Sequence, residues 1–137
     1  QNYECFEWIK AQYPGCRFVF LTLTVRNVPI DSLASRLADM SAAWNRFTQR
    51  RDFKALGLPG WLRVLEVTRN AHTGTYHPHY HVVLVVPSGC WLPDHSWWLR
   101  CWQLAARDES IMFVNLRVLD GSKSSIEEVS KYVVKRF

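Results

Sequence analysis

Along this chain the spacing of apolar residues switches between periods of two and of three to four, and each switch marks an element. RFVFLTLTVRN (17–27) sets Val19, Leu21, Leu23 and Val25 against Phe18, Phe20, Thr22 and Thr24, which predicts a long strand with one strongly apolar face. Before it, Phe6, Trp8 and Ile9 lie in a stretch closed by Pro14-Gly15, the pattern of a short helix ended by a turn. After it, Pro29 and Asp31 open a helix whose apolar set runs Leu33, Ala34, Leu37, Met40, Trp44, Phe47 and ends near Arg50. Residues 61–68 and 77–86 read as two further strands. The connection between them is short and contains Gly74, so they form an antiparallel hairpin. Trp98, Cys101, Trp102, Leu104 and Ala105 form a helical stripe over 94–107, and 111–119 alternates as a fourth strand. Ser124 or Ser125 then caps a last helix, with Glu127 and Glu128 in its first turn, where the positive helix end favours acids.

The order α, β, α, β, β, α, β, α predicts an α+β domain in which helices pack on an antiparallel sheet of about four to five strands. The chain has 137 residues, 48% of them apolar, which suits one folded domain spanning 1–137 rather than two. It begins at Gln1 without a leader, as expected of a piece of a longer protein. The longest apolar run, 82–86, is strand-sized, so a soluble, cytoplasmic protein without membrane association is expected. Four scattered cysteines with no Cys-x-x-Cys pair argue against a closed zinc site and favour reduced thiols. Seventeen Lys and Arg against twelve Asp and Glu give a formal charge of +5, a field that attracts polyanions.

The chemistry concentrates in HPHYHVVLVV (77–86). Strand residues two apart project to one face, so the imidazoles of His79 and His81 can converge on one cation while Tyr80 points into the opposite layer. Glu66 lies about as far before the hairpin loop as these histidines lie after it. If the register puts it on their face, a His, His, Glu ligand set follows. Such a set leaves positions open for water or a phosphate oxygen, and its N/O donors suit Mn²⁺ or Mg²⁺, with Zn²⁺ also fitting. The plainer alternative is a pair of hydrogen-bonded histidines on a solvated sheet face. His77 is either a substrate contact or a surface histidine.

In SSIEEVSKYVVKRF (124–137), Ile126, Val129, Val133 and Phe137 form an apolar stripe, and Tyr132 falls roughly 110 to 130° from its centre at about 100° per residue. Glu128 and Lys135 share its side of the helix. With a pKa near 10 a phenol needs activation, which Lys131 or Lys135 would favour. A covalent nucleophile and an amphipathic tyrosine at a helix edge both fit this placement.

Taken together, TLTVRN, EVTRN ahead of HPHYHVVLVV, and KYVVK resemble the three ordered motifs of plasmid rolling-circle replication initiators in the His-hydrophobic-His (HUH) endonuclease superfamily. The resemblance implies a ferredoxin- or RRM-like sheet, metal ligands at His79, His81 and Glu66, and Tyr132 attacking a phosphodiester of single-stranded or extruded origin DNA. It also implies a 5′-phosphotyrosine and a free 3′ hydroxyl for a host polymerase, working with a helicase. One branch carries a single tyrosine with a Glu four residues earlier that activates water, a spacing Glu128 matches. Basic residues Arg50, Arg51, Arg69 and Lys131, with His77, are candidate DNA contacts. Exposed tryptophans among 61, 91 and 97 could stack on bases. A single-tyrosine transposase shares the motif order, a relaxase usually places its tyrosine ahead of the metal motif, and a non-catalytic nucleic-acid-binding module could use the same sheet.

Overall fold

The computed structural model describes residues 2–119 and Glu127. Among residues 2–119, four helices and four strands follow one another as α1 (Asn2–Gln12), β1 (Arg17–Thr24), α2 (Leu33–Gln49), α3 (Arg51–Lys54), β2 (Gly60–Arg69), β3 (Tyr76–Val86), α4 (His95–Ala106) and β4 (Val114–Leu119). A single 3-10 turn at Ile30–Ser32 leads into α2. The α+β class and the antiparallel sheet are as expected, with four strands in the order β2-β3-β1-β4. Glu127 is helical and exposed; the rest of the expected last helix, with Glu128, Lys131, Tyr132 and Lys135, lies outside the described residues.

Alternation on the central strands explains both layers. Val19, Leu21 and Leu23 on β1 and Tyr80, Val82, Leu84 and Val86 on β3 share a face that packs against α2 and α4. There Met40, Trp44, Phe47, Trp98 and Trp102 fill the space between helices and sheet. Arg63 stacks its guanidinium over the Tyr80 ring at 4.5 Å, closing the β2 end of this layer. Aromatic side chains of this size dominate the burial energy of a small domain.

The opposite face of the sheet is divided. Phe18 and Phe20 on β1, Val83 and Val85 on β3 and Leu119 on β4 form a second buried cluster under Phe6 of α1. The strongly apolar face of β1 is as expected, and the Phe half of its other face is buried as well. Farther along, the same face turns polar, with Thr22 and Thr24 opposite His81 and His79. α1 covers the apolar half, and the polar half holds the candidate site.

Two strands are shorter than their alternation predicts. β1 ends at Thr24, whose carbonyl accepts a hydrogen bond from Trp102 Nε1 at 2.7 Å, and the chain then swings out to a single bridge between Val28 and Tyr76. β4 starts at Val114 rather than Ile111, because Ile111 is buried as the anchor of a loop. α4 starts at Asp94, whose carboxylate accepts from Trp97 N, and stops at Arg107 in the left-handed region (φ 57).

All four cysteines are free thiols, as expected. Burial, reinforced by the Asp52 carboxylate, pushes the Cys101 thiol up to about 11, while Cys5 is exposed. Alkylation of the native protein near neutral pH should therefore label Cys5 and spare Cys101, which should react only on unfolding. Mass mapping after brief iodoacetamide exposure checks this, and early labelling of Cys101 would show that the helical layer opens readily.

Candidate metal centre

The hairpin register decides the first question left by the sequence. Glu66 pairs directly with His79, Val64 with His81 and Thr68 with His77, so Glu66 and all three histidines lie on one face. On the other side of β3, Thr24 pairs with His79 and Thr22 with His81. His79 and His81 are thus each flanked by a β1 threonine, and the carboxylate stands opposite His79 and diagonal to His81.

From there Glu66 Oε1 lies 2.7 Å from His79 Nε2 and 2.9 Å from His81 Nε2. One ligand atom from each of the three falls within 4.8 Å of the others, the only such group among the described residues. Both histidines are about nine-tenths buried. Burial works to raise the pKa of the Glu66 carboxyl, but hydrogen bonds from His81 and His79 outweigh it and hold the group below the usual carboxylate range. Glu66 is accordingly a carboxylate at neutral pH.

The donor set fits a divalent cation. His81 Nδ1 lies 3.4 Å from Thr22 Oγ1, a partner for the N–H of the tautomer that leaves Nε2 free as a ligand. Phe20 stacks on the His81 ring at 5.5 Å and fixes its plane. His79 Nδ1 is buried without a hydrogen-bond partner among the described residues. An imidazole so placed, with its Nε2 on a carboxylate shared with a second imidazole, is costly unless the cluster has a further role.

A cleft of about 510 Å³ is lined by His79 and His81 and walled among the described residues by Thr22 and Thr24 on one side and by Arg26, Asn27, Met112 and Phe113 beyond them. His77 also lines it, its pKa held down by burial and by neighbouring His79. Arg117 stands on the same face, its guanidinium 5.6 Å from the Phe20 ring. A cleft that carries Arg26 and His77 next to a cation site suits a phosphodiester.

The other expected contacts are distributed unevenly. Arg69 ends β2 at the histidine end of the hairpin, but it pairs with Tyr76 rather than His77, so alternation puts it on the face away from the histidines. Arg50 and Arg51 lie instead on the helical layer, behind the sheet as seen from the histidines, where Phe53 anchors α3 in the core. Arg50 is clamped on Asp52 at 3.0 and 3.1 Å and holds that carboxyl below its usual range, while Arg51 is exposed. Trp61 packs edge-on against Trp44 and Phe53, Trp97 packs against Trp98, and Trp91 is exposed. Thr22 and Thr24 were overlooked as site residues, although their alternation with the β1 core already placed them together on one face. Met112 and Phe113 carried no comparable signal.

No helix among the described residues is long and apolar enough to cross a membrane. Comparison with known proteins gives one consistent result. A family described as "Replication protein" matches residues 1–137. The chain is 35% identical to "Protein rep" of Streptococcus pneumoniae serotype 2 over 94% of its own length and 43% of that protein. It is 30% identical to "Protein rep" of Bacillus amyloliquefaciens over 98% of its length and 45% of the relative. It is also 31% identical to "Replication protein" of Staphylococcus aureus, again over 98% of its length and 63% of the relative. The chain therefore spans roughly half the length of these relatives. No solved structure matches it. With a match over its whole length and a hairpin that brings Glu66, His79 and His81 together as the motif resemblance requires, this chain belongs to the plasmid replication initiator (Rep) family.

Proposed function

We propose that this chain is a metal-dependent DNA nicking and joining domain that opens rolling-circle replication by cutting one strand of origin DNA. The observation that carries the reading is the convergence of Glu66, His79 and His81 on the open half of the sheet, in a chain of the replication family. Glu66, His79 and His81 would hold a divalent cation, which would supply Lewis-acid stabilisation of the charge that develops on a phosphoryl oxygen in the transition state. The mixed N and O donors suit Mn²⁺ or Mg²⁺ and admit Zn²⁺.

The remaining steps belong to the chain's own residues. Tyr132 is the nucleophile: its Oη bonds to phosphorus as the P–O3′ bond breaks, the phenolic proton is lost, and the departing 3′ oxygen takes up a proton. Lys131 and Lys135 favour the phenolate through their positive charge. One phosphodiester-type bond replaces another, so a 3′ hydroxyl can reverse the step and rejoin the strand. Glu128 activates water to release the phosphotyrosine at the end of a cycle. His77 and Lys131 hold phosphates of the nicked strand, while Arg51 and Arg69, on the other side of the sheet, meet flanking DNA. Host helicase and polymerase then use the exposed 3′ end.

The reading is tested by incubating the chain with a labelled single strand from its own origin and Mn²⁺. A denaturation-resistant protein–DNA species is expected, and EDTA should prevent it. Strand binding that ignores EDTA and never yields a covalent species would instead mark a non-catalytic nucleic-acid-binding module.

A further inference from the structure

Met112 and Phe113 are 78% and 57% exposed, an unusual placement for two adjacent large apolar residues in a short loop. The loop holding them is fixed from several sides. Gln103 donates to the Ile111 carbonyl at 2.6 Å, Thr24 Oγ1 donates to the Phe113 carbonyl at 3.1 Å, and His95 Nε2 donates to the Val114 carbonyl at 2.6 Å. Ile111 is buried beneath it. The two side chains are thus held outward by a fixed backbone.

Their position relative to the metal ligands is set by the sheet. Thr24, which holds the Phe113 carbonyl, is the register partner of His79, so Phe113 lies about two strand spacings, roughly 10 Å, from the histidine strand. Both residues line the cleft that His79 and His81 line, and Arg26 lies on the same wall, its Nε 3.6 Å from Asp108 Oδ2 while its side chain stays 66% exposed and able to meet a second anion. A flat apolar surface, a guanidinium and a cation site along one cleft match the repeating chemistry of a single strand, in which each charged phosphate is flanked by a base with an apolar face.

Resting on the function proposed above, we infer that Met112 and Phe113 form a stacking wall for a base beside the phosphate seated at Glu66, His79 and His81, with Arg26 facing the next phosphate. The wall positions the strand and takes no part in bond making. It is sequence-tolerant, since every base offers a π face, and it adds affinity that depends on bases rather than on charge.

The test compares the full 137-residue chain with Met112→Ala/Phe113→Ala, using two fluorescent 12-nucleotide probes in Mn²⁺: oligothymidylate, and a strand of the same length made entirely of abasic sites. Both side chains are exposed, so the variant should keep its far-UV spectrum and melting temperature. It should bind oligothymidylate about tenfold more weakly than the parent and the abasic strand within twofold of it. Equal affinities for oligothymidylate, or equal losses on both probes, would overturn the inference. A parent chain that binds neither probe would overturn the inference, and one that in addition forms no covalent species with its origin strand would overturn the function on which it rests. A parent that nicks origin DNA and binds both probes with the same affinity would overturn the stacking wall alone.

Discussion

Replacing Tyr132 by Phe is expected to abolish the covalent protein–DNA species, by at least about a thousandfold in rate, while leaving strand binding within twofold of the parent. The substitution removes only the hydroxyl that bonds to phosphorus and keeps the ring. A loss of adduct without a loss of binding therefore identifies a nucleophile rather than a contact. The fold disfavours three other tyrosines. Tyr80 is buried in the helical layer beneath Arg63, on the wrong side of the sheet, and burial raises its pKa. Tyr76, by alternation from His77, faces that same side. Tyr13 lines a groove with Trp61 and Val85, at the far end of β3 from the histidines. Peptide mapping of the adduct should place the nucleotide on Tyr132, and label on any other residue would refute the assignment.

The second large effect is expected from the ligands. His81→Ala should lower adduct formation by about a hundredfold or more in Mn²⁺, and Glu66→Gln, which keeps the size of the side chain and removes its charge, should do nearly as much. Neither change should unfold the protein, because the core lies mainly on the other face of the sheet, packed by Trp98, Trp102 and Phe47. The metal effect can be separated from stability: saturating Mn²⁺ should raise the melting temperature of the parent, by about 2.7 kcal/mol of added stability at a hundred times its dissociation constant, and should leave both variants unchanged. Equal thermal stabilisation of parent and variants would mean that the ion binds elsewhere.

How far the sequence could be read follows from the kind of constraint each residue obeys. A short hairpin limits the register enough to bring Glu66 near His79 from sequence, but a one-residue slip would have turned it to the other face, and only the direct pairing of Glu66 with His79 puts it with the histidines. The helical stripes of α2 and α4 were equally plain, since Trp44, Phe47, Trp98 and Trp102 repeat at helical spacing. Placement of α1 was not readable. Nothing local to Phe18 and Phe20 says that a helix from the other end of the chain crosses their half of a face whose other half is polar. Ile111 misled for a related reason: a buried aliphatic residue just before a strand fits the strand's alternation, although here it anchors a loop that carries Met112 and Phe113 into the cleft. The commitment of Arg50 to Asp52 is likewise a tertiary fact that a count of basic residues hides.

The account rests on one cation held between β2 and β3, and the loss of the free Mn²⁺ spectrum during an electron paramagnetic resonance titration measures it directly. One tightly bound ion per chain is predicted for the parent protein, and none of comparable affinity for Glu66→Gln or His81→Ala. Undiminished binding by those variants, or a parent chain that takes up no ion yet still forms the covalent DNA species in EDTA, would contradict it.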